Sequence, residues 1–352
     1  MRCRPAVVAV IVGVLSLMIS SCGGDEEKGS TTAAVGGNSE SPRGTLTVYS
    51  GRSEVLMKDL FARYEQDTGV KLEVRYGDST ALAGQVLTEG SRTPADVFIA
   101  QDAGSLGAVA AAGHFEALPD TIVGKVPAEY SATDRTWVGV SGRARVVVFN
   151  PELAPTPPAT IGEIVDARWK GRIGYAPTNA SWQAFVTALR LLRGDAGAES
   201  WLRAFKALDP KPYPGNAQLR DAVNGGEVAL GLVNHYYLYE KIAAEGAAKV
   251  KARNQFMAPN DPGGLVNVAG AGILAESDDK AAAVSLVEYL VSDKGQQYFA
   301  ERTKEYPLVP GVQADPLLPP LAQLAPPKVN LTDLRSLTAT QDLLVAVGLL
   351  TT

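Results

Sequence analysis

From Thr45 onward, apolar and polar positions alternate in two registers that separate short strands from longer helices. Leu46-Thr47-Val48-Tyr49 is a β-rich run that breaks at Ser50-Gly51-Arg52; Val55, Leu56, Leu60, Phe61 and Tyr64 then recur at helical spacing, ending at Gly69. Val70 to Arg75 alternates as a second strand, and Gly77-Asp78-Ser79-Thr80 opens a helix through Leu87. Asp96 to Ala100 is a third strand, closing at Gln101-Asp102 before a helix that carries Leu106 and Val109. Strands that feed helices in this order predict a parallel α/β sheet. Ligands of such sheets bind outside the carboxyl ends of the strands. Here those ends are Ser50-Gly51-Arg52-Ser53, Gly77-Asp78-Ser79-Thr80 and Gln101-Asp102.

A second α/β series follows. Ser141 to Asn150 reads as a long strand, Ile173-Gly174-Tyr175 as a short one, and Trp182 to Leu192 as a helix. Val228 to Val233 is an apolar strand running into Asn234-His235-Tyr236-Tyr237, and Gly270 to Leu274 leads back. Helices are expected at 280–291 and 293–302, then a proline-rich crossing at 316–327 and a helical region at 331–350. Two lobes linked by long strands predict a hinged binding protein with a central cleft. The expected division is 45–144 plus about 267–314 for the first lobe, and 145–266 plus about 315–352 for the second.

The chain start reads as addressing rather than fold. Arg2 and Arg4 precede an apolar run from Ala6 to Ile19, too short to span a bilayer but fitting a signal peptide over residues 1–21. Ile19-Ser20-Ser21-Cys22-Gly23 resembles a bacterial lipobox, which implies a lipidated Cys22; the other reading is an ordinary cleaved signal with an incidental cysteine. Residues 22–44 then form a leash rich in Gly, Ser, Thr and acids, with too little apolar surface to offset the entropy of ordering. The expectation is a monomer on the extracytoplasmic face of a bacterial membrane, tethered only by its lipid.

Composition narrows the chemistry. Of 352 residues, 33 are Lys or Arg and 38 Asp or Glu, a net charge of −5, without the basic excess of a nucleic-acid binder. Two cysteines cannot build a disulfide scaffold or a four-thiolate zinc site. His114 and His235 are the only histidines, so any metal must lean on oxygen.

Six stretches carry a resemblance in family order: Thr47-Val48-Tyr49-Ser50-Gly51; Thr93-Pro94-Ala95-Asp96-Val97-Phe98; Ser141-Gly142-Arg143-Ala144-Arg145-Val146; Trp169-Lys170-Gly171-Arg172-Ile173-Gly174-Tyr175; Asn234-His235-Tyr236-Tyr237-Leu238-Tyr239; and Asp261-Pro262-Gly263. Together they make the chain resemble the periplasmic ferric-iron-binding proteins, the substrate-binding components of iron ABC importers. The resemblance implies a type II periplasmic-binding-protein (Venus flytrap) fold, capture of Fe(III) with a synergistic anion such as carbonate or phosphate, delivery to an ABC permease, and no enzymatic activity.

The chemistry agrees with that implication. Fe(III) is a hard acid that prefers anionic oxygen, and a bound cation stabilises the phenolate that a free tyrosine, with a pKa of about 10, rarely forms. In family register at a strand end, the Tyr236 and Tyr237 hydroxyls are expected to converge on iron; a Tyr-Tyr pair elsewhere is ordinary packing. Two positions depart from the family. Its familiar members carry a histidine after the first strand and a glutamate after the Thr-Pro-Ala-Asp strand, where this chain has Ser53 and Gln101. Neither is a strong iron ligand, and Asp102 is the nearest acid. An exogenous anion and water are therefore expected to complete the coordination. Asn179, Ala180 and Ser181 open a helix whose free N–H groups make an anion seat, with Asn216, Asn234, Arg52 and Arg143 around it. Arg143 suits a hinge ion pair equally well, and the asparagines suit turns. The competing expectation is the same fold holding another small ligand: an oxyanion, a polyamine or a thiamine-like molecule. Gly77-Asp78-Ser79-Thr80 resembles an esterase nucleophile block, but no Asp-x-x-His follows it.

Overall fold

A computed structural model describes residues 44–351. The expected signal, Cys22 and all of the leash except Gly44 lie outside the described residues. Among the described residues nine strands form one open sheet in the order β2-β1-β3-β9-β4-β7-β5-β6, with β8 also paired to β4. The strands are β1 (Thr45–Ser50), β2 (Lys71–Tyr76), β3 (Val97–Ala100), β4 (Val138–Phe149), β5 (Ile173–Tyr175), β6 (Lys211–Pro212), β7 (Leu230–Asn234), β8 (Arg253–Phe256) and β9 (Val266–Ile273). The principal helices are α1 (Glu54–Thr68), α2 (Ser79–Glu89), α3 (Ala103–Ala111), α4 (Ala180–Ala207), α5 (Asn216–Gly225), α6 (Tyr236–Glu245), α7 (Lys280–Leu290), α8 (Asp293–Tyr298) and α9 (Leu337–Val347).

β1 pairs in parallel with β2 and β3, and β5 with β6 and β7. The sheet as a whole is mixed rather than parallel, because β4 and β9 carry the chain between the two series and run antiparallel to their neighbours. β4 changes partner midway: through Ala144 it pairs with β9, and from Arg145 onward with β7 and β8. This one strand therefore belongs to two cores. The first holds Val48, Phe98, Ile99, Leu106, Val268 and the buried faces of α1, α7 and α8. The second is centred on Trp182, which packs 5.4 Å from both Tyr175 and Phe205 and 5.6 Å from Phe185. The fold is the two-lobed, type II periplasmic-binding-protein architecture.

The C-terminal stretch expected in the second lobe divides between the cores. Leu331 and Leu334 pack in the first, against the side where α3 lies, whereas Leu344, Val347 and Leu349 pack in the second. The helix expected from Trp182 runs on to Ala207, with a kink at Gly194, whose φ of 70° suits glycine. Among the described residues no helix is long and apolar enough to cross a membrane.

Candidate metal and anion cleft

The strand ends converge where the sheet rule places a ligand. A cleft of about 450 Å³ is walled on one side by Arg52 and Ser53 after β1 and by Gln101 after β3. Asn179 after β5, Asn216 after β6, and Tyr236 and Tyr237 after β7 close the other side. Gly77-Asp78-Ser79-Thr80 supports this cleft without lining it. Ser79 is buried, donates to the Gly51 carbonyl (3.2 Å) and accepts from the Gln101 N–H (2.8 Å), tying the ends of β1 and β3 together. Glycine at 51 permits that approach, since a Cβ there would sit 2.1 Å from Ser79 Oγ. A hydroxyl committed in this way is not a poised nucleophile.

Tyr236 and Tyr237 are not in a strand-end turn, as the apolar run suggested; they are the first two residues of α6. Their rings stack 4.4 Å apart at 26°. The helix start places the positive end of the backbone dipole behind both phenols, which favours a negative oxygen there. Burial nevertheless raises the Tyr237 hydroxyl well above its ordinary range, and the adjacent Tyr236 and Glu240 push the same way. Without a cation the Tyr237 phenol stays protonated at neutral pH.

Arg52 binds this pair from the opposite wall. Its guanidinium lies 5.1 Å from the centre of the Tyr236 ring and donates to the hydroxyl at 3.3 Å, while Nη2 pairs with Glu305 at 2.7 Å. Arg52 and Glu305 are both fully buried. Burial alone would lower the arginine's pKa, but Glu305 and the two tyrosines outweigh it and hold the charge in place.

Behind the second wall lies a dense set of donors. Asn179 caps α4, its side-chain oxygen accepting from the Ser181 N–H and Oγ and from Asn216 Nδ2. Ser181 Oγ takes further bonds from Asn216 (3.0 Å) and Arg145 (3.3 Å). Ala180 is buried and contributes backbone at the first turn of the helix. Several buried donor atoms lack partners among the described residues: Nε and Nη1 of Arg143, Nε of Arg145 and Arg52, and the side-chain nitrogens of Asn234 and Gln101. Among the described residues the Arg143 side chain makes no ion pair, and its one side-chain hydrogen bond runs to the Val268 carbonyl at 3.3 Å. Burial depresses the pKa of Arg143, and that of Arg145 to about 9. Unpaired buried cations of this kind are costly unless an anion joins them.

Asp102 is not turned into the cleft. It caps α3, accepting from the Ser105 N–H and hydroxyl, both at 3.0 Å, and burial raises its pKa. The Asp-x-x-Ser spacing just before a helix was the signal for that role. Sequence reasoning missed Arg145, Glu305, Arg220 and Glu240. Glu240 lines the cleft one turn into α6, and burial raises its carboxyl to about 7 against the opposing pull of Arg220 and Arg52. Among the described residues no three His, Cys, Asp or Glu side chains gather as a metal site. A larger groove of about 920 Å³, between Tyr130, Val266 and Pro326-Pro327, contains none of these residues.

Two lobes joined by crossing strands, with paired phenols at a shared cleft and buried donors behind one wall, are the architecture of a solute-binding protein. The chain belongs to the bacterial extracellular solute-binding protein family, whose pattern matches residues 92–330. It is 34% identical to the major ferric iron-binding protein of Neisseria meningitidis serogroup B over 82% of this chain and 88% of that one. It is 31% identical to the Fe(3+)-binding periplasmic protein of Serratia marcescens over 86% of this chain and 90% of the relative. Among solved structures it resembles iron-bound HitA from Pseudomonas aeruginosa, with a TM-score of 0.82 at 33% identity over 86% and 99% of the two chains. It also resembles the Trichodesmium protein solved with iron and citrate, with a TM-score of 0.73 at 28% identity over 86% and 99%.

Proposed function

We propose that this protein captures Fe(III) outside the cytoplasm, together with a synergistic anion, and delivers it to an ABC importer as a binding component rather than an enzyme. The observation that carries the reading is the stacked Tyr236–Tyr237 pair on the first turn of α6, facing the cleft that both lobes wall. Fe(III) displaces the phenol protons and supplies the positive charge that burial otherwise withholds from the tyrosines. The anion, carbonate or phosphate in class, sits toward Asn179, Ser181 and Asn216, drawing on Arg145 and the free donors of Arg143 and Asn234. The ferric iron-binding relatives support the metal, and the Trichodesmium structure with iron and citrate supports a co-bound anion. Ser53 and Gln101 face the same cleft and complete its walls.

The switch of β4 partners at Ala144–Arg145 is the hinge of this reading. Closure brings Arg52 of one lobe onto Tyr236 of the other, so ligand and lobe contacts form together. Cys22 serves as the lipid anchor, keeping the protein near its permease. A ferric phenolate absorbs visible light by charge transfer, which gives the test. Titration with Fe(III) nitrilotriacetate in bicarbonate or phosphate should develop colour, and Tyr236→Phe combined with Tyr237→Phe should abolish it. A colourless wild type, or colour retained in the double variant, rejects the iron reading and returns the cleft to an oxyanion, polyamine or thiamine-like ligand.

A further inference from the structure

Two phenolates and one external anion leave the metal short of protein charge. The positions where the family's familiar members supply histidine and glutamate hold a neutral hydroxyl and a neutral amide. We propose that Glu240 is a third protein ligand of the bound metal, its carboxylate entering from the same helix as the two tyrosines. The inference rests on the iron reading above.

Helix geometry brings the three oxygens together. At roughly 100° per residue, Glu240 lies about 40° around the α6 axis from Tyr236 and about 60° from Tyr237, on the arc between them. Helical side chains lean toward the N-terminus, which carries the Glu240 carboxylate back over the turn that holds the phenols. All three side chains line the same cleft.

The carboxylate keeps its acceptor capacity largely unspent. Only 21% of the Glu240 side chain is exposed, yet among the described residues it accepts no hydrogen bond. Its one ion pair, with Arg220, is long at 3.6 Å. Arg220 is itself engaged by Asp221 at 3.0 Å and by the Tyr237 carbonyl at 2.8 Å. Two phenolates and a carboxylate balance the three charges of Fe(III), and the external anion is then matched by the arginines behind it.

The decisive experiment is Fe(III) nitrilotriacetate titration of wild type, Glu240→Gln and Glu240→Asp in bicarbonate. Removing an anionic donor leaves iron more electron-poor and lowers the energy of phenolate-to-iron charge transfer. The Glu240→Gln band should therefore move to longer wavelength, with iron affinity down at least about tenfold in chelator competition. Glu240→Asp should recover part of both effects. A structural role confined to the Arg220 pair would leave the band in place. A folded Glu240→Gln variant with the wild-type band overturns the proposal, while the colour lost by the double tyrosine variant keeps the iron reading intact. If neither variant folds, the iron-loaded wild-type crystal structure decides: a Glu240 oxygen about 2.0–2.2 Å from the metal supports the assignment, and one beyond bonding distance rejects it.

Discussion

The buried pair between Arg52 and Glu305 offers the most direct way to connect the cleft's energetics with its chemistry. The guanidinium and carboxylate meet at 2.7 Å, and their side chains are 1% and 0% exposed. Thr303 Oγ1 adds a bond to the same carboxylate oxygen at 2.9 Å. Glu305→Gln keeps the shape and removes the charge, leaving a desolvated arginine near a second buried cation, Arg143. Removing one partner of a buried pair costs about 3–5 kcal/mol, because the other charge is left uncompensated. Retained amide hydrogen bonding places this substitution near the lower end. Against a total stability of about 5–15 kcal/mol, that loss is large. The metal-free protein should melt roughly 5 °C lower. Arg52→Met with Glu305→Leu, which removes both charges, should cost less than the sum of the single substitutions. Urea unfolding of wild type, Arg52→Met, Glu305→Leu and the double variant gives the coupling energy. The same substitution releases Arg52 from its place over Tyr236, so iron affinity should fall together with stability. A Glu305→Gln protein within about 1 kcal/mol of wild type, or strictly additive singles, would refute the claim that the charge on Arg52 depends on Glu305.

Three further outcomes follow from the geometry. Gly51→Ala places a Cβ 2.1 Å from Ser79 Oγ and 2.9 Å from its Cα, so it should lose about 1–3 kcal/mol by thermal melting and shift Gln101 at the cleft wall. Ser181→Ala removes the hydroxyl shared by Arg145, Asn179 and Asn216; iron affinity measured in phosphate against phosphate-free buffer should show a smaller anion dependence than in wild type. Fully buried His235 has its pKa lowered to about 4 by burial, against the pull of the Lys304 and Ala144 backbone contacts. The unfolded state therefore binds more protons than the native state between about pH 6.5 and 4. The associated stability is complete above that window and is lost as pH falls through it, at up to about 1.4 kcal/mol per pH unit. Urea midpoints of the metal-free protein at pH 7, 6 and 5 should show that slope, and His235→Gln should flatten it.

What the sequence disclosed and what it hid differ by the distance over which each feature is encoded. Strand ends are local, and the three in the first series were read within a residue or two, because apolar alternation breaks where the backbone turns. The Tyr-Tyr pair was legible as well, since both residues adjoin an apolar strand. Their place on a helix was not, because His235 supplies no side-chain cap and the apolar run continues past the strand. That single error concealed Glu240: only on a helix do residues three and four positions apart share a face. Asp102 shows the reverse, a residue near the site by sequence but drawn off by a local cap. Arg143 and Arg145 are two apart on one strand and would be expected to act alike, yet β4 changes neighbours between them, so the Arg143 side chain bonds the Val268 carbonyl and that of Arg145 bonds Ser181 and the Leu232 carbonyl. The Arg52–Glu305 pair spans 253 positions and had no local trace. The cleft's walls are thus written locally, whereas its charge balance depends on pairings made by the fold. On the proposal made for Glu240, charge missing at Ser53 and Gln101 is sought among acids that folding brings to the tyrosines.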